Sequence, residues 1–164
     1  MAKKARIKKI LVEQILDKAN IPYETIVFSG GMNRNQAELD AYGLTDHDIY
    51  KTLALDGNVT GPVIGIVPVD NHLNEKKLAA VSGNKKVNMI PTKDLQRTTG
   101  YIHGANNPVG IWQTKKFPIY FDNSAKEAGT ITISAGEVGR SIRIDAETLA
   151  EFVHAKFADI RTVE

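Results

Sequence analysis

The sequence predicts an α/β fold, a mixed and partly barrel-like β-sheet with surrounding helices. Three observations predict it. Segments of helical and strand periodicity interleave irregularly along the 164 residues. Several strand connections are short enough for hairpins, which a doubly wound parallel sheet does not use. The run VIGIVPV, ending at Val69, is nearly all apolar, as a central strand buried on both faces would be.

The elements follow in order. Leu11, Ile15, Leu16 and Ala19 share one face of a helix over 10–19, which Asn20 and Pro22 end. A strand is expected over 23–28, where apolar residues alternate in part. SGGMN is a loop. A short helix over 36–42 precedes Gly43, the residue type that suits the position past a helix end. Thr45 caps a single helical turn, with Asp48 near its third position. Strands over 50–55 and 62–69 pair through a turn at DGN, 56–58. Asn74 caps a helix over 75–81, and Ser82 and Gly83 stop it. A strand over 85–90 and a helix over 91–98 come next. The loop GYIHGANNPVG, 100–110, follows them. Strands are expected over 118–121, 129–134 and 140–144, and Asp145 caps a last helix over 146–154. No repeat or linker divides the chain, so one domain over 1–164 is expected, with residues 1–8 as a basic N-terminal extension.

Composition bounds the function. There is no cysteine, which excludes disulfides, a thiol nucleophile on the protein and thiolate metal sites. The four histidines are scattered, so no metal site and no cofactor are expected. No apolar run approaches the roughly 20 residues that a membrane helix needs, and no signal-type apolar segment follows the basic start. A cytoplasmic protein with no membrane partner is expected. The net charge is only +2, which argues against a DNA-binding protein. The charge is uneven, however. Lys76, Lys77, Lys85 and Lys86 form a basic cluster that suits an RNA phosphate backbone, and solvated helix faces would give the same pattern.

Two features bear on chemistry. Lys51 opens an otherwise apolar strand, YKTLAL. It is either a lysine snorkelling at a strand end or a fixed cation at the mouth of a pocket. The loop 100–110 concentrates Gly, Asn and Pro, as a surface that lets a ligand approach the main chain would. His103 beside it is a candidate general base, because histidine is the side-chain type that changes charge near neutral pH, although a lone surface histidine is the commoner case.

Taken in order, these pieces resemble the YbaK/EbsC family of aminoacyl-tRNA deacylases, relatives of the prolyl-tRNA synthetase editing domain. GLTDHDIYKTL, VPVDNHLNEKKLAAVSGNKKVNM, TGYIHGANNPVG and ITISAGEVGRSIRI carry the likeness, which runs over nearly the whole chain. The resemblance implies the editing-domain fold and a trans-editing deacylase of Cys-tRNA(Pro) or Cys-tRNA(Cys). It implies Lys51 as the catalytic side chain. It also implies a substrate pocket of Phe28, Thr52, Gly104, Ala105, Asn106, Asn107, Pro108, Ser134 and Ser141. Aminoacyl-tRNA is the implied partner, with prolyl- or cysteinyl-tRNA synthetase as a candidate second one. Cleavage would be substrate-assisted, as a hydrolase or, through a thiolactone, as a lyase. The alternatives are a deacylase for another small residue such as alanine, or a silent module that binds a tRNA end or a nucleotide. The chain departs from relatives at the loop, which reads GANNP where many have GGISP. It also departs at Ser141, where many have an acid, and at Phe28, where many have Tyr.

Overall fold

The computed structural model describes residues 9–30 and 35–162. The basic segment 1–8 lies outside them. An eight-stranded mixed sheet forms the centre, in the order β1-β8-β7-β2-β3-β6-β9, with β5 on β2 beside that path. The strands are β1 (Glu24–Val27), β2 (Ile49–Gly57), β3 (Gly61–Pro68), β5 (Val87–Met89), β6 (Ile119–Asp122), β7 (Thr130–Glu137), β8 (Arg140–Asp145) and β9 (Lys156–Ala158). A second, two-stranded sheet joins β4 (His72–Leu73) to β10 (Arg161–Thr162). The mixed α/β architecture is the expected one. The strand order forks at β2 and no pairing among the described residues closes it into a barrel.

The helices are α1 (Leu11–Lys18), α2 (Gln36–Ala41), α3 (Glu75–Ser82), α4 (Thr92–Thr99), α5 (Pro108–Lys115), α6 (Asn123–Ala128) and α7 (Ala146–Phe152). Five of their N-termini are closed by an Asn or Asp side chain that accepts an orphan backbone N–H. Asn35, Asn74, Asn107, Asp122 and Asp145 do this for α2, α3, α5, α6 and α7. Thr45 and Asp48 close the single turn 46–48 as expected.

The sequence reading missed five elements. The loop expected over 100–110 ends early, because Asn107 caps α5 and Pro108 starts it. Asp122 starts α6 where only a strand end was expected. The short strands β4, β9 and β10 carry too few residues to show a period. The β2–β3 turn falls at 58–60 rather than 56–58, because Asp56 and Gly57 still pair with Pro62 and Gly61.

Three apolar clusters lock the sheet. The largest gathers Leu16, Ile64, Ile66, Phe121, Ile133 and Ile142, with the helices α1, α5, α6 and α7 contributing to it. A second packs Leu78 of α3 against Leu55, Val63 and Val67. The third joins Ile26, Phe28 and Ile49 to Leu39 and Leu44. Strand alternation separates the faces. On β8, Ile142 enters the largest cluster, while the residues on either side of it, Ser141 and Arg143, project from the other face.

The segment 156–162 is pinned as well. Asp122 is buried, accepts the amide of Ile160 at 3.1 Å and meets the Arg161 guanidinium at 3.3 Å. Asn74 donates its amide to Ile160 O at 2.7 Å, so the strand pair β4–β10 fastens the C-terminal segment over α3.

Candidate active site

The site lies where β2 leaves β7. Their parallel pairing covers Ile49 and Tyr50 only, opposite Thr132 and Ile133. Farther along, β2 pairs on that edge with β5, from Leu55 to Gly57. Between these two pairings the edge of β2 is open. A cavity of about 330 Å³ occupies the gap. Lys51, Thr52 and Leu53 border it from β2, Ser134 from β7, Gly139 and Ser141 from the β8 side, Phe28 from the end of β1, and His103, Gly104 and Asn106 from the loop.

Lys51 is half-buried, and among the described residues no ion pair holds its ammonium. Burial pushes its pKa below the ordinary lysine value, and the Asp70 carboxylate opposes that shift. Asp70 itself meets His47 Nδ1 at 3.3 Å. A partly desolvated cation without a paired carboxylate is electrostatically suited to an anionic or strongly polarised group.

The loop opposite is built to stay in place. Gly104 has φ +88°, a region that glycine enters freely and a β-branched residue resists. Its carbonyl accepts the Ser134 hydroxyl at 3.2 Å. Asn106 is buried, and its Oδ1 lies 2.7 Å from the hydroxyl of the fully buried Thr99. That hydroxyl also accepts the amide of Tyr101 at 3.1 Å, so one threonine ties both ends of the loop. The Tyr101 ring lies across two glycines. A Cβ on Gly110 would sit 1.8 Å from the phenol oxygen, and one on Gly136 would sit 3.2 Å from Cε1. These two glycines therefore make room for a side chain rather than for a ligand.

Seven of the expected pocket and catalytic residues meet around one cavity: Lys51, Phe28, Thr52, Gly104, Asn106, Ser134 and Ser141. Ala105, Asn107 and Pro108 lie buried and do not border it. The Asn107 side chain is spent on the backbone, accepting Gly110 N–H at 2.7 Å and donating to Ala105 O at 3.2 Å. Ile49, Tyr50, Leu53, Val69 and Gly139 border the cavity as well. Only the register, which opens the β2 edge, brings them there. In the basic cluster, Lys76, Lys85 and Lys86 are exposed. Lys77 instead bonds both Asp159 oxygens and Arg161 O within 3.1 Å, so it belongs to the C-terminal fastening.

Residues 35–152 match the family model of the aminoacyl-tRNA editing domain. The chain belongs to that family. Over the full length of both chains it is 37% identical to a protein of Enterococcus faecalis (strain ATCC 700802 / V583), provisionally named Cys-tRNA(Pro)/Cys-tRNA(Cys) deacylase EbsC. Among solved structures, a provisional trans-editing enzyme for prolyl-tRNA synthetase superposes with a TM-score of 0.78 at 20% identity, over 93% of this chain and 95% of that one. A hypothetical protein gives 0.80 at 20% identity, over 92% of this chain and 99% of that one. At such identities these two carry the fold alone. The likeness to the editing deacylases that the sequence motifs suggest is thus a family membership, and the matched span holds every cavity residue except Phe28.

Proposed function

We propose that the cavity is the deacylation site of a trans-editing enzyme for mischarged tRNA, with Cys-tRNA(Pro) or Cys-tRNA(Cys) as substrate. One observation carries this reading most: Lys51, a half-buried cation without a carboxylate partner, faces a loop whose Gly104 lets a ligand approach the main chain. The name of the Enterococcus relative supports the choice of cysteine. The absence of cysteine from the chain fits a reaction whose sulfur belongs to the substrate.

The geometry suits an ester that is already activated. The Ser134 hydroxyl is turned to Gly104 O rather than to a histidine. No protein nucleophile is needed when the substrate supplies one. The thiol sulfur of the cysteinyl group attacks its own carbonyl carbon, the carbonyl pair moves to oxygen, and the C–O bond to the ribose breaks. The ribose oxygen leaves with the proton that the thiol gives up, and a cyclic thiolactone is the product. Holding the two groups together can lower the barrier by about 7–11 kcal/mol in well-oriented cases. Lys51 acts as an electrostatic anchor. The partner is the charged tRNA end, with delivery by prolyl- or cysteinyl-tRNA synthetase, in the cytoplasm.

Alanine is the second reading, because a cavity of this kind separates substrates poorly by size: one methylene is worth about 1–3 kcal/mol. The test is release of labelled amino acid from a panel of charged tRNAs. The reading expects fastest release from cysteinyl esters. Faster release from alanyl esters would reassign the substrate, and binding without release would make the protein a silent module.

A further inference from the structure

We infer that the main-chain N–H of Thr52 is the oxyanion donor of this site. The inference rests on the deacylase reading above and names an atom that the reading leaves open.

The register of β2 fixes the edge to which each of its amides points. On β2, Ile49 accepts the amide of Val69 at 2.8 Å, and its pairing with β3 continues through Lys51↔Val67 and Leu53↔Gly65. In an antiparallel ladder, alternate residues point their N–H and C=O to opposite edges. Ile49, Lys51 and Leu53 therefore turn theirs to β3, and Tyr50, Thr52 and Ala54 turn theirs the other way. Ala54 bears this out, because its carbonyl accepts Ile90 N–H at 3.1 Å, on the side of β5. Tyr50 is the last rung with β7, opposite Ile133. Thr52 falls between these two attachments. Its N–H points across the open edge, where the cavity lies, and among the described residues no strand, turn or side chain receives it.

A second observation marks the same residue. The Thr52 hydroxyl oxygen is buried and without a hydrogen-bond partner. A strand interior rarely leaves a main-chain donor and a buried side-chain oxygen both unpaired. On Thr52 they lie beside Lys51 and border the same cavity. An N–H fixed by a strand paired along its other edge is preorganised, the quality that makes an oxyanion donor effective. The loop is less well placed for this role, because Ala105 N–H already bonds Ile102 O at 3.0 Å.

In the reaction, the nucleophile adds to the ester carbonyl carbon and the carbonyl pair moves onto oxygen. The Thr52 N–H receives that charge, with the Lys51 ammonium alongside. As the pair returns, the bond to the ribose oxygen breaks and that oxygen takes the nucleophile's proton.

The test replaces the Thr52 amide by an ester, through incorporation of the α-hydroxy analogue of threonine. The side chain stays and only the N–H is lost. Removing one oxyanion donor typically lowers turnover about 10²–10³-fold. The expected result is a fall of that size in the single-turnover rate at saturating charged tRNA, with half-saturation little changed. Thr52→Val, which keeps the shape and the N–H, should lose less than tenfold. A folded ester variant with the wild-type rate overturns the inference, as does a Val variant that falls as far as the ester. A separate readout does not need turnover. On binding 3′-cysteinylamino-3′-deoxyadenosine, an uncleavable amide, the ¹⁵N-labelled Thr52 amide should shift and become protected from exchange. If wild type cleaves no charged tRNA while that signal responds, the deacylase reading fails and the Thr52 N–H is left as a donor to a bound carbonyl, not to an oxyanion. If the analogue saturates the cavity and the signal is still, the donor assignment fails.

Discussion

At the residue scale, the site turns on one cation whose surroundings set when it is charged. Lys51→Ala should lower turnover at least tenfold and leave the fold intact, since the side chain contributes to none of the three apolar clusters. Tenfold corresponds to about 1.4 kcal/mol, within reach of one charge-assisted contact. Single-turnover rates on a variant with wild-type circular dichroism decide it, and near-normal rates would return Lys51 to a snorkelling role. The pH dependence follows from the same contacts. Burial lowers the Lys51 pKa and Asp70 counters it, so the cation is lost on the alkaline side sooner than for a free lysine. Asp70→Asn removes the counter-charge. The alkaline fall in kcat/KM, corrected for spontaneous ester loss, should move to lower pH. An unmoved limb would mean that Lys51 does not titrate in the rate. Lys51 was legible in the sequence as a charge breaking an apolar strand. Its neighbour Thr52 was legible only through the resemblance. That the Thr52 amide faces an open edge depends on where β2 leaves β7, and no local pattern records that point.

At the element scale, most of the scaffold was readable and the exceptions have physical reasons. Asparagine and aspartate caps announced α3 and α7, and the apolar period announced α1. The start of α5 carried equally good signals in Asn107 and Pro108, but two asparagines and three glycines around them also spell a loop. Asn107→Ala therefore tests a cap, not a pocket residue. It should cost about 1–2 kcal/mol of stability by denaturant titration, the upper end for a lost N-cap because the side chain is fully buried. A change confined to substrate preference would show that Asn107 reaches the cavity.

The buried ion pair between α1 and β8 had no sequence signal, because its partners lie 127 positions apart. Glu13 is 1% exposed and meets Arg140 at 2.6 Å, the Ile10 amide at 3.1 Å and the Thr25 hydroxyl. Burial alone would raise its pKa, but the bonds from Thr25, Arg140 and Ile10 outweigh this and hold it below the ordinary glutamate value. A depressed carboxylate pKa contributes stability above the unfolded value, and that contribution is lost as pH falls through the folded one. Glu13→Gln removes the carboxylate charge that Arg140 meets here and should destabilise the protein at pH 7 by up to about 3–5 kcal/mol, the range for breaking a buried pair. The difference from wild type should begin to shrink as pH falls below the unfolded glutamate value of about 4.3, and it should vanish only below the depressed folded value, where wild type loses the same charge. Denaturant midpoints across a pH series read both effects, and a pH-independent difference would mean that the pair's charge contributes nothing.

At the scale of the whole molecule, the question is how a protein of net charge +2 holds a polyanion. Composition suggested one basic cluster, and the fold divides it. Lys77 is drawn into the fastening of the C-terminal segment by Asp159 and Arg161. Lys85 and Lys86 remain exposed, and both backbone amides bond Asn58 Oδ1, at 2.9 and 3.0 Å. Asn84 holds the same turn from within, accepting the amides of Val59 and Thr60. The two lysines thus project from a braced hairpin tip, seven to eight positions beyond Lys51 in the register of β2. At about 3.3 Å per residue that is roughly 23–26 Å, a span that a tRNA acceptor arm can bridge from the cavity. Few phosphate contacts mean weak binding that salt removes easily, since each contact contributes about 0.7–0.9 to the slope of log K against log salt. Lys85→Ala/Lys86→Ala should weaken tRNA binding and lower that slope by about 1.4–1.8, with the rate at saturation unchanged. Lys77→Ala should instead lower the melting temperature and leave the slope within about 0.3 of wild type, below one contact. Fluorescence anisotropy of labelled tRNA over a salt series, beside thermal melts, separates the two. If Lys77→Ala moves the slope by a full contact while the lysine pair moves it by none, the tRNA tracks along α3 and not over the hairpin tip.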